Sequence, residues 1–154
     1  MTYSQTPPVL DLPAAALPRV ILRHGIVVGL DVTGLAAPAT SSTTVLRTTL
    51  RRGTSALVEG TGTVTLDYLC LRYGAERPLD QTYGSTPTTF AIDDLIPGLR
   101  AGLVGVRVGS RVVLQIPPDA AYADTPAEDL GFPPTSTVCF VVDVIGTDSA
   151  AAQA

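Results

Sequence analysis

The chain offers few side chains that could act as nucleophiles or hold a metal ion. It has one histidine, His24, two cysteines, Cys70 and Cys139, and no lysine. A single histidine without clustered cysteines does not make a zinc site, and a chain without lysine cannot form a Schiff base. No GxSxG, HExxH or phosphate-loop motif is present. The sequence therefore indicates neither a nucleophile-based active site nor a zinc site.

Both cysteines lie inside apolar runs that are typical of β-strands. In such a run a cysteine most often behaves as a small buried hydrophobic residue. We therefore expect neither a disulfide nor a reactive thiol at Cys70 or Cys139.

A tyrosine in a proline-rich stretch is a more distinctive feature. Residues 116–134 read "IPPDAAYADTPAEDLGFPP", with five prolines around the single tyrosine, Tyr122, and an acidic run from Asp124 to Asp129. Proline fixes φ and lowers the conformational freedom of a loop. We expect a stiff loop between two strands that holds Tyr122 in one position.

The elements that must position this loop are mainly strands. "TVTLDYLCLRY", "RVVLQIP" and "TVCFVVDVI" alternate between inward and outward positions, as half-buried strands do. The predicted inward sets are Val64, Leu66 and Tyr68, then Val112, Leu114 and Ile116, then Val138, Phe140, Val142 and Val144. Gly and Pro clusters between the runs favour a mainly antiparallel sheet.

One short helix is predicted in "DDLIPGLRAGLVG". Pro97 suits the first helical turn, and Leu99 and Leu103 fall on one face at a spacing of four residues. Gly102 and Gly105 are expected to end the helix. A short amphipathic helix on a curved sheet leaves a small apolar cleft between them.

The composition sets the domain organisation and the classes of partner. Hydrophobic residues make up 45% of the 154 residues and charged residues 16%, which is typical of a packed globule. We expect an extension at residues 1–44 with one possible strand and a linker, a domain at 45–147, and a flexible tail at 148–154. The net charge of −4 argues against nucleic acid as a partner. The chain has neither an apolar run long enough to span a membrane nor a signal-like start, so we expect no membrane association and a cytoplasmic location.

Three stretches of the chain resemble the FKBP family of peptidyl-prolyl isomerases: "DYLCLRYGAERPLDQT", "TTFAIDDLIPGLRAGLVGVRVGSRVVLQIPPDAAYADTP" and "GFPPTSTVCFVVDVI". The resemblance extends from about Val45 to Thr147. It implies an α+β fold, an antiparallel β half-barrel wrapped around one short α-helix. It also implies cis/trans isomerisation of X-Pro bonds in a proline-containing peptide or protein, without cofactor or metal.

The same resemblance implies the residues of the site. Tyr122, through its hydroxyl, and Ile96, through its backbone N–H, would donate hydrogen bonds to carbonyls of the bound peptide. Asp80 would lie on the pocket wall near the hydroxyl of Tyr68. These three, Tyr122, Ile96 and Asp80, are the candidate catalytic residues. The candidate substrate-binding residues are Tyr68, Leu79, Leu95, Leu99, Ala121, Phe132 and Phe140.

Three positions carry less aromatic area than the family usually has, namely Leu79, Thr88 and Leu99. They leave two alternatives to a peptidyl-prolyl isomerase. One is a non-catalytic protein of the same fold that binds a hydrophobic peptide or a macrolide-like ligand. The other is a biosynthetic enzyme, such as a cyclase or isomerase, that acts on an apolar small molecule through Asp80, Tyr68 or Tyr122.

Overall fold

The computed structural model describes residues 6–39 and 42–149. Seven of the described strands form one sheet in the order β1-β4-β8-β9-β5-β6, with β7 also paired to β5, and β2 and β3 form a separate hairpin. The strands are β1 (Val9–Asp11), β2 (Arg19–Arg23), β3 (Ile26–Asp31), β4 (Val45–Arg51), β5 (Thr63–Arg72), β6 (Asp80–Gln81), β7 (Thr88–Ala91), β8 (Arg111–Ile116) and β9 (Val138–Asp148). The helices are α1 (Pro97–Leu103) and α2 (Ala127–Leu130).

The sheet and α1 form the expected α+β half-barrel. Every strand pair of the sheet is antiparallel except β1 with β4. The predicted inward residues of β5, β8 and β9 are all buried in one cluster, together with Leu99 and Leu103 of α1. The alternating pattern identified this face because one side of each strand is packed against the helix.

Helix α1 begins and ends close to the predicted positions. Pro97 is its first residue, and the chain leaves the helix at Val104, followed by Gly105 with φ 89°. Gly102 does not end the helix but lies inside it, where a Cβ would be 2.7 Å from a methyl group of Leu114. The absence of a side chain at Gly102 therefore lets α1 lie close to β8.

The N-terminal run that was expected to form one strand forms the β2–β3 hairpin. Its two-residue turn is His24 (φ 53°) and Gly25 (φ 78°), and Arg23 pairs with Ile26 across it. Two consecutive positive φ values are the signature of a turn that matches the twist of a hairpin. Glycine adopts such values without strain, which explains why the run folds back at this point.

This hairpin covers the outer face of the sheet. Val27 and Leu30 of β3 are buried with Leu17 in a second cluster. Their partners from the sheet are Leu69, Leu71, Val113, Cys139 and Val141. Both faces of the sheet are thus packed, one against α1 and one against the hairpin.

The predicted linker and the predicted C-terminal tail are described only in part. Part of the expected linker, residues 40 and 41, lies outside the described residues, as does most of the expected tail, residues 150–154. Strand β9 continues to Asp148, the first residue of that tail. Among the described residues, no helix has the length and apolarity needed to cross a membrane.

Candidate functional site

A cavity of about 320 Å³ lies between the inner face of the sheet and α1. Its walls come from β5, β6, β7, β9, the segment that leads into α1, and the proline-rich loop 116–134. The lining residues are Leu66, Tyr68, Cys70, Leu79, Asp80, Phe90, Asp94, Leu95, Ile96, Leu99, Tyr122, Asp129, Leu130, Phe132 and Phe140.

Nine of the ten site residues proposed from the sequence lie on this cavity. They are Tyr68, Leu79, Asp80, Leu95, Ile96, Leu99, Tyr122, Phe132 and Phe140. The tenth, Ala121, does not line it, and its side chain is instead partly buried against the inner core. Ala121 follows a 3₁₀ turn, Pro118–Ala120, that lies on that core.

Tyr68 and Asp80 form a hydrogen-bonded pair on one wall. The Tyr68 hydroxyl donates to Oδ2 of Asp80, and the backbone N–H of Gln81 donates to Oδ1 at 2.9 Å. The Tyr68 ring also packs edge-on against Phe90, with 5.8 Å between ring centroids, and lies 6.4 Å from Phe140. The pair therefore places one carboxylate at the edge of an aromatic wall.

A buried threonine fixes the position of this pair. Thr82 Oγ1 donates to Oδ1 of Asp67 and accepts a hydrogen bond from the Tyr68 N–H at 2.7 Å. The Thr82 N–H donates to the Tyr68 carbonyl at 2.8 Å. Because Thr82 holds both backbone groups of Tyr68, the segment that carries Asp80 is aligned with β5.

The contact between the rings of Tyr122 and Phe132 holds the Tyr122 side chain at the cavity. The ring packs edge-to-face on Phe132, with 5.5 Å between centroids and an angle of 85°. Its hydroxyl makes no hydrogen bond to another described residue, and the backbone N–H of Ile96 likewise donates to none. Two hydrogen-bond donors on the cavity are thus available to a ligand.

The proline-rich loop contains two short helical segments that the sequence analysis did not predict. It contains the 3₁₀ turn and the four-residue helix α2, which ends at Leu130 and is followed by Gly131 with φ 74°. Asp129 and Leu130, from the end of α2, reach the cavity lining. This helix escaped sequence analysis because four residues are too few to show a helical period.

Six lining residues were not proposed as site residues: Leu66, Cys70, Phe90, Asp94, Asp129 and Leu130. Leu66 and Cys70 occupy alternate positions of β5 on either side of Tyr68, so the strand period alone could have identified them. Phe90 faces the same wall through its contact with Tyr68. No local signal in the sequence marks Asp94 or Asp129 as lining residues.

The hydroxyl groups of Tyr68 and Tyr122 and the thiol of Cys70 stay neutral in the cavity. Burial and the hydrogen bond to Asp80 raise the pKa of Tyr68 well above its usual value. Burial raises the pKa of the Cys70 thiol to about 12, and burial also raises the pKa of Tyr122. Cys70 and Cys139 are both free and buried, as expected. A reactive thiolate is therefore not available at this site.

The described residues contain no group of three or more His, Cys, Asp or Glu side chains arranged to hold a metal ion. What the cavity offers is an apolar and aromatic surface with two free donors. Such a surface can bind an apolar group and orient the carbonyls beside it.

Comparison with known proteins agrees with this geometry. The family model described as FKBP-type peptidyl-prolyl cis-trans isomerase matches residues 53–145. The FKBP-type peptidyl-prolyl cis-trans isomerase FkpA of Escherichia coli (strain K12) is 33% identical over 107 residues, which cover 69% of this chain and 38% of FkpA. A probable FK506-binding protein of Corynebacterium glutamicum is 33% identical over 86 residues, covering 54% of this chain and 70% of that protein.

Solved structures give the same result. The crystal structure of a peptidyl-prolyl cis-trans isomerase from Pseudomonas syringae pv. tomato superposes with a TM-score of 0.62 at 28% identity, covering 68% of this chain and 76% of that one. The chain spans well under half the length of its curated relative FkpA. The fold, the matched residues 53–145 and the relatives together show that the chain belongs to the FKBP-type peptidyl-prolyl cis-trans isomerase family.

Proposed function

We propose that the chain catalyses cis/trans isomerisation of X-Pro bonds in peptides or proteins, with the proline ring in the cavity beside α1. The observation that supports this most directly is the combination of an apolar, aromatic lining with two unpaired donors, the Tyr122 hydroxyl and the Ile96 N–H. A cavity of about 320 Å³ accommodates a proline ring and its flanking amides.

The reaction needs no nucleophile. The barrier to rotation about the X-Pro bond, about 18–20 kcal/mol, arises from amide resonance. The planar amide is more dipolar than the twisted one, so an environment with little water favours the twisted form. Tyr68, Phe90 and Phe140 supply such an environment on one wall.

The polar groups at the edge of the cavity orient the peptide. The Ile96 N–H and the Tyr122 hydroxyl donate to carbonyls on either side of the rotating bond and so hold the flanking chain while the bond turns. Asp80, held by Tyr68 and Gln81, presents its carboxylate close to the proline amide. These assignments make Tyr122, Ile96 and Asp80 the catalytic residues of the proposal.

A protease-coupled isomerisation assay on a panel of X-Pro peptides tests this function. We expect acceleration over the spontaneous rate, and a fall in kcat/KM of roughly fivefold for Tyr122→Phe, because one hydrogen bond contributes about 1 kcal/mol. Tyr73→Phe is the matched control, since the Tyr73 hydroxyl donates to the Ala36 carbonyl outside the cavity. That variant should retain the wild-type rate.

Wild-type protein that gives no acceleration on any peptide would overturn the proposal. Binding of X-Pro peptides in calorimetry without catalysis would then identify a peptide-binding module of the same fold. Binding of an apolar small molecule alone would instead favour an enzyme with a small-molecule substrate.

A further inference from the structure

The charged residues on the cavity are all acidic. Asp80, Asp94 and Asp129 line it, and no arginine or histidine among residues 6–39 and 42–149 does. Asp94 and Asp129 are exposed, and neither side chain makes an ion pair or hydrogen bond with another described residue. Two unpaired carboxylates thus stand at the mouth of the site.

The lack of a basic residue here is not a general scarcity. The chain has ten arginines, and three other surface grooves include at least one each. Their arginines are Arg19 in one groove, Arg47, Arg52 and Arg107 in the second, and Arg23 in the third. Positive charge is therefore present on the surface but absent from this cavity.

Two of the segments that flank the cavity extend the same charge, while the segment before β6 carries Arg77 beside Glu76. Loop 116–134 contains Asp119, Asp124, Glu128 and Asp129, all exposed, and no basic residue. On the opposite side, Asp93 and Asp94 precede α1. The nearest arginine along the chain, Arg100, is paired with Asp93 at 3.3 Å and with the Gly60 carbonyl.

From this arrangement we infer that the site selects proline segments flanked by lysine or arginine over those flanked by acidic residues. The inference rests on the proposed function and deepens it by naming a substrate class. The proline ring enters the apolar cavity, while a cationic side chain a few residues away lies against Asp94 or Asp129. An acidic side chain in that place meets only like charge.

The carboxylates at the edge of the cavity act mainly on the rate at which the peptide associates and on weak contacts at that edge. Exposed charges at the edge of a binding site change the association rate and make it depend on salt. The Debye length is about 30 Å at 0.01 M and about 3 Å at 1 M ionic strength, so the preference is largest at low salt. Each exposed ion pair contributes little binding free energy. For two carboxylates together we expect a preference of about fivefold for the cationic over the acidic peptide.

The experiment compares two peptides that share one X-Pro core and differ only in flanking residues, arginine in one and glutamate in the other. We expect kcat/KM for the arginine peptide to exceed that for the glutamate peptide by about fivefold at 0.01 M salt. The ratio should approach one at 1 M salt.

The double variant Asp94→Asn, Asp129→Asn tests whether these two carboxylates cause the preference. In this variant, the ratio of kcat/KM between the arginine and the glutamate peptide should fall toward one at low salt. Glu76→Gln is a control for the removal of one surface charge, because Glu76 is an exposed carboxylate that lies against the hairpin in a different groove. It removes one negative charge, against two in the double variant, and should keep the wild-type ratio.

The outcomes separate the inference from the function on which it rests. If neither peptide is accelerated, the proposed isomerase function fails. If both are accelerated equally at low salt, or if the double variant keeps the wild-type ratio, the isomerase stands and the charge preference is overturned.

Discussion

The hydroxyl of Tyr68 donates its hydrogen bond to the carboxylate of Asp80, joining the centre of β5 to the short edge strand β6. The register of the two strands places Cys70 opposite Asp80. Tyr68 and Asp80 are thus diagonal neighbours on the cavity side, close enough for a long side chain to reach. One side chain therefore both lines the aromatic wall and orients the carboxylate beside it.

This relationship predicts the effect of Tyr68→Phe. The variant keeps the ring contacts but leaves Asp80 without its hydroxyl partner, so we expect kcat/KM to fall roughly fivefold and the free energy of unfolding to fall by about 1 kcal/mol. Isomerisation assays and urea denaturation measure the two quantities.

Tyr83→Phe is the control for Tyr68→Phe. It removes the hydroxyl that donates to Asp143 at 2.9 Å, away from the cavity. It should lose a similar amount of stability while kcat/KM stays at the wild-type value. Equal losses of activity in the two variants would show that Tyr68 acts through stability alone.

The sequence predicts those parts of the site that depend on residues close together along the chain, and not those that depend on pairing between distant segments. The inward residues Val112, Leu114 and Ile116 are predictable from the sequence because alternate residues of a strand lie on the same face of the sheet. The Tyr68–Asp80 pairing depends on the register of β5 and β6, which no local pattern contains. Only the resemblance to the FKBP family implied it.

The features that sequence analysis missed have two separate causes, one local and one long-range. Residues 19–32 predict one strand-like run broken by Gly25 and Gly29, whereas the turn at His24 and Gly25 divides it into β2 and β3. Asp94 and Asp129 reach the cavity only because the segments on both sides of it fold toward the same opening. The roles of Tyr122 and Ile96 in binding remain predictions for the assays above.

Substitution of alanine for the two glycines of α1 should lower the free energy of unfolding by different amounts. A Cβ at Gly98 would lie 2.3 Å from Cγ2 of Ile116 and 3.0 Å from the Ala120 carbonyl oxygen, whereas one at Gly102 meets the flexible end of Leu114. Gly98→Ala should therefore displace the helix that carries Leu99 and lower the free energy of unfolding by about 2 kcal/mol.

Gly102→Ala is the matched comparison. Leu114 can change its rotamer, and alanine favours the helix more than glycine by about 1 kcal/mol. We expect this variant to lose clearly less stability than Gly98→Ala in urea denaturation. The reverse order would contradict the packing described for α1.

The hairpin on the outer face predicts a contrast between two adjacent valines. Val27 is 1% exposed and belongs to the outer core, whereas Val28 points away and is 37% exposed. Val27→Ala should lower the free energy of unfolding by about 2 kcal/mol, and Val28→Ala by less than about 0.5 kcal/mol. Equal effects would mean that the hairpin adds nothing to the core of the sheet.

Asp143 makes the stability depend on acid pH. Asp143 is 9% exposed, and its carboxylate accepts two hydrogen bonds from Arg111 at 2.6 and 2.9 Å, one from Tyr83 at 2.9 Å and one from Arg51 at 3.2 Å. Burial acts to raise the pKa of Asp143, but the hydrogen bonds from Arg111, Tyr83 and Arg51 and the charge of Arg111 together outweigh burial and lower that pKa below its ordinary value. The unfolded chain, with an ordinary pKa near 4, therefore binds a proton more readily than the folded protein.

It follows that the stabilisation from Asp143 is complete above about pH 4 and is lost as the pH falls through the lowered pKa of the folded state. Asp143→Asn should reduce the free energy of unfolding at pH 7 by about 2 kcal/mol, because the half-buried Arg111 loses its charge partner. It should also make the decline below about pH 4 shallower. Urea denaturation across this range tests both effects. Some decline will persist in the variant, since Asp11 and Asp31 also have lowered pKa values, but a decline as steep as in the wild type would contradict the role given to Asp143.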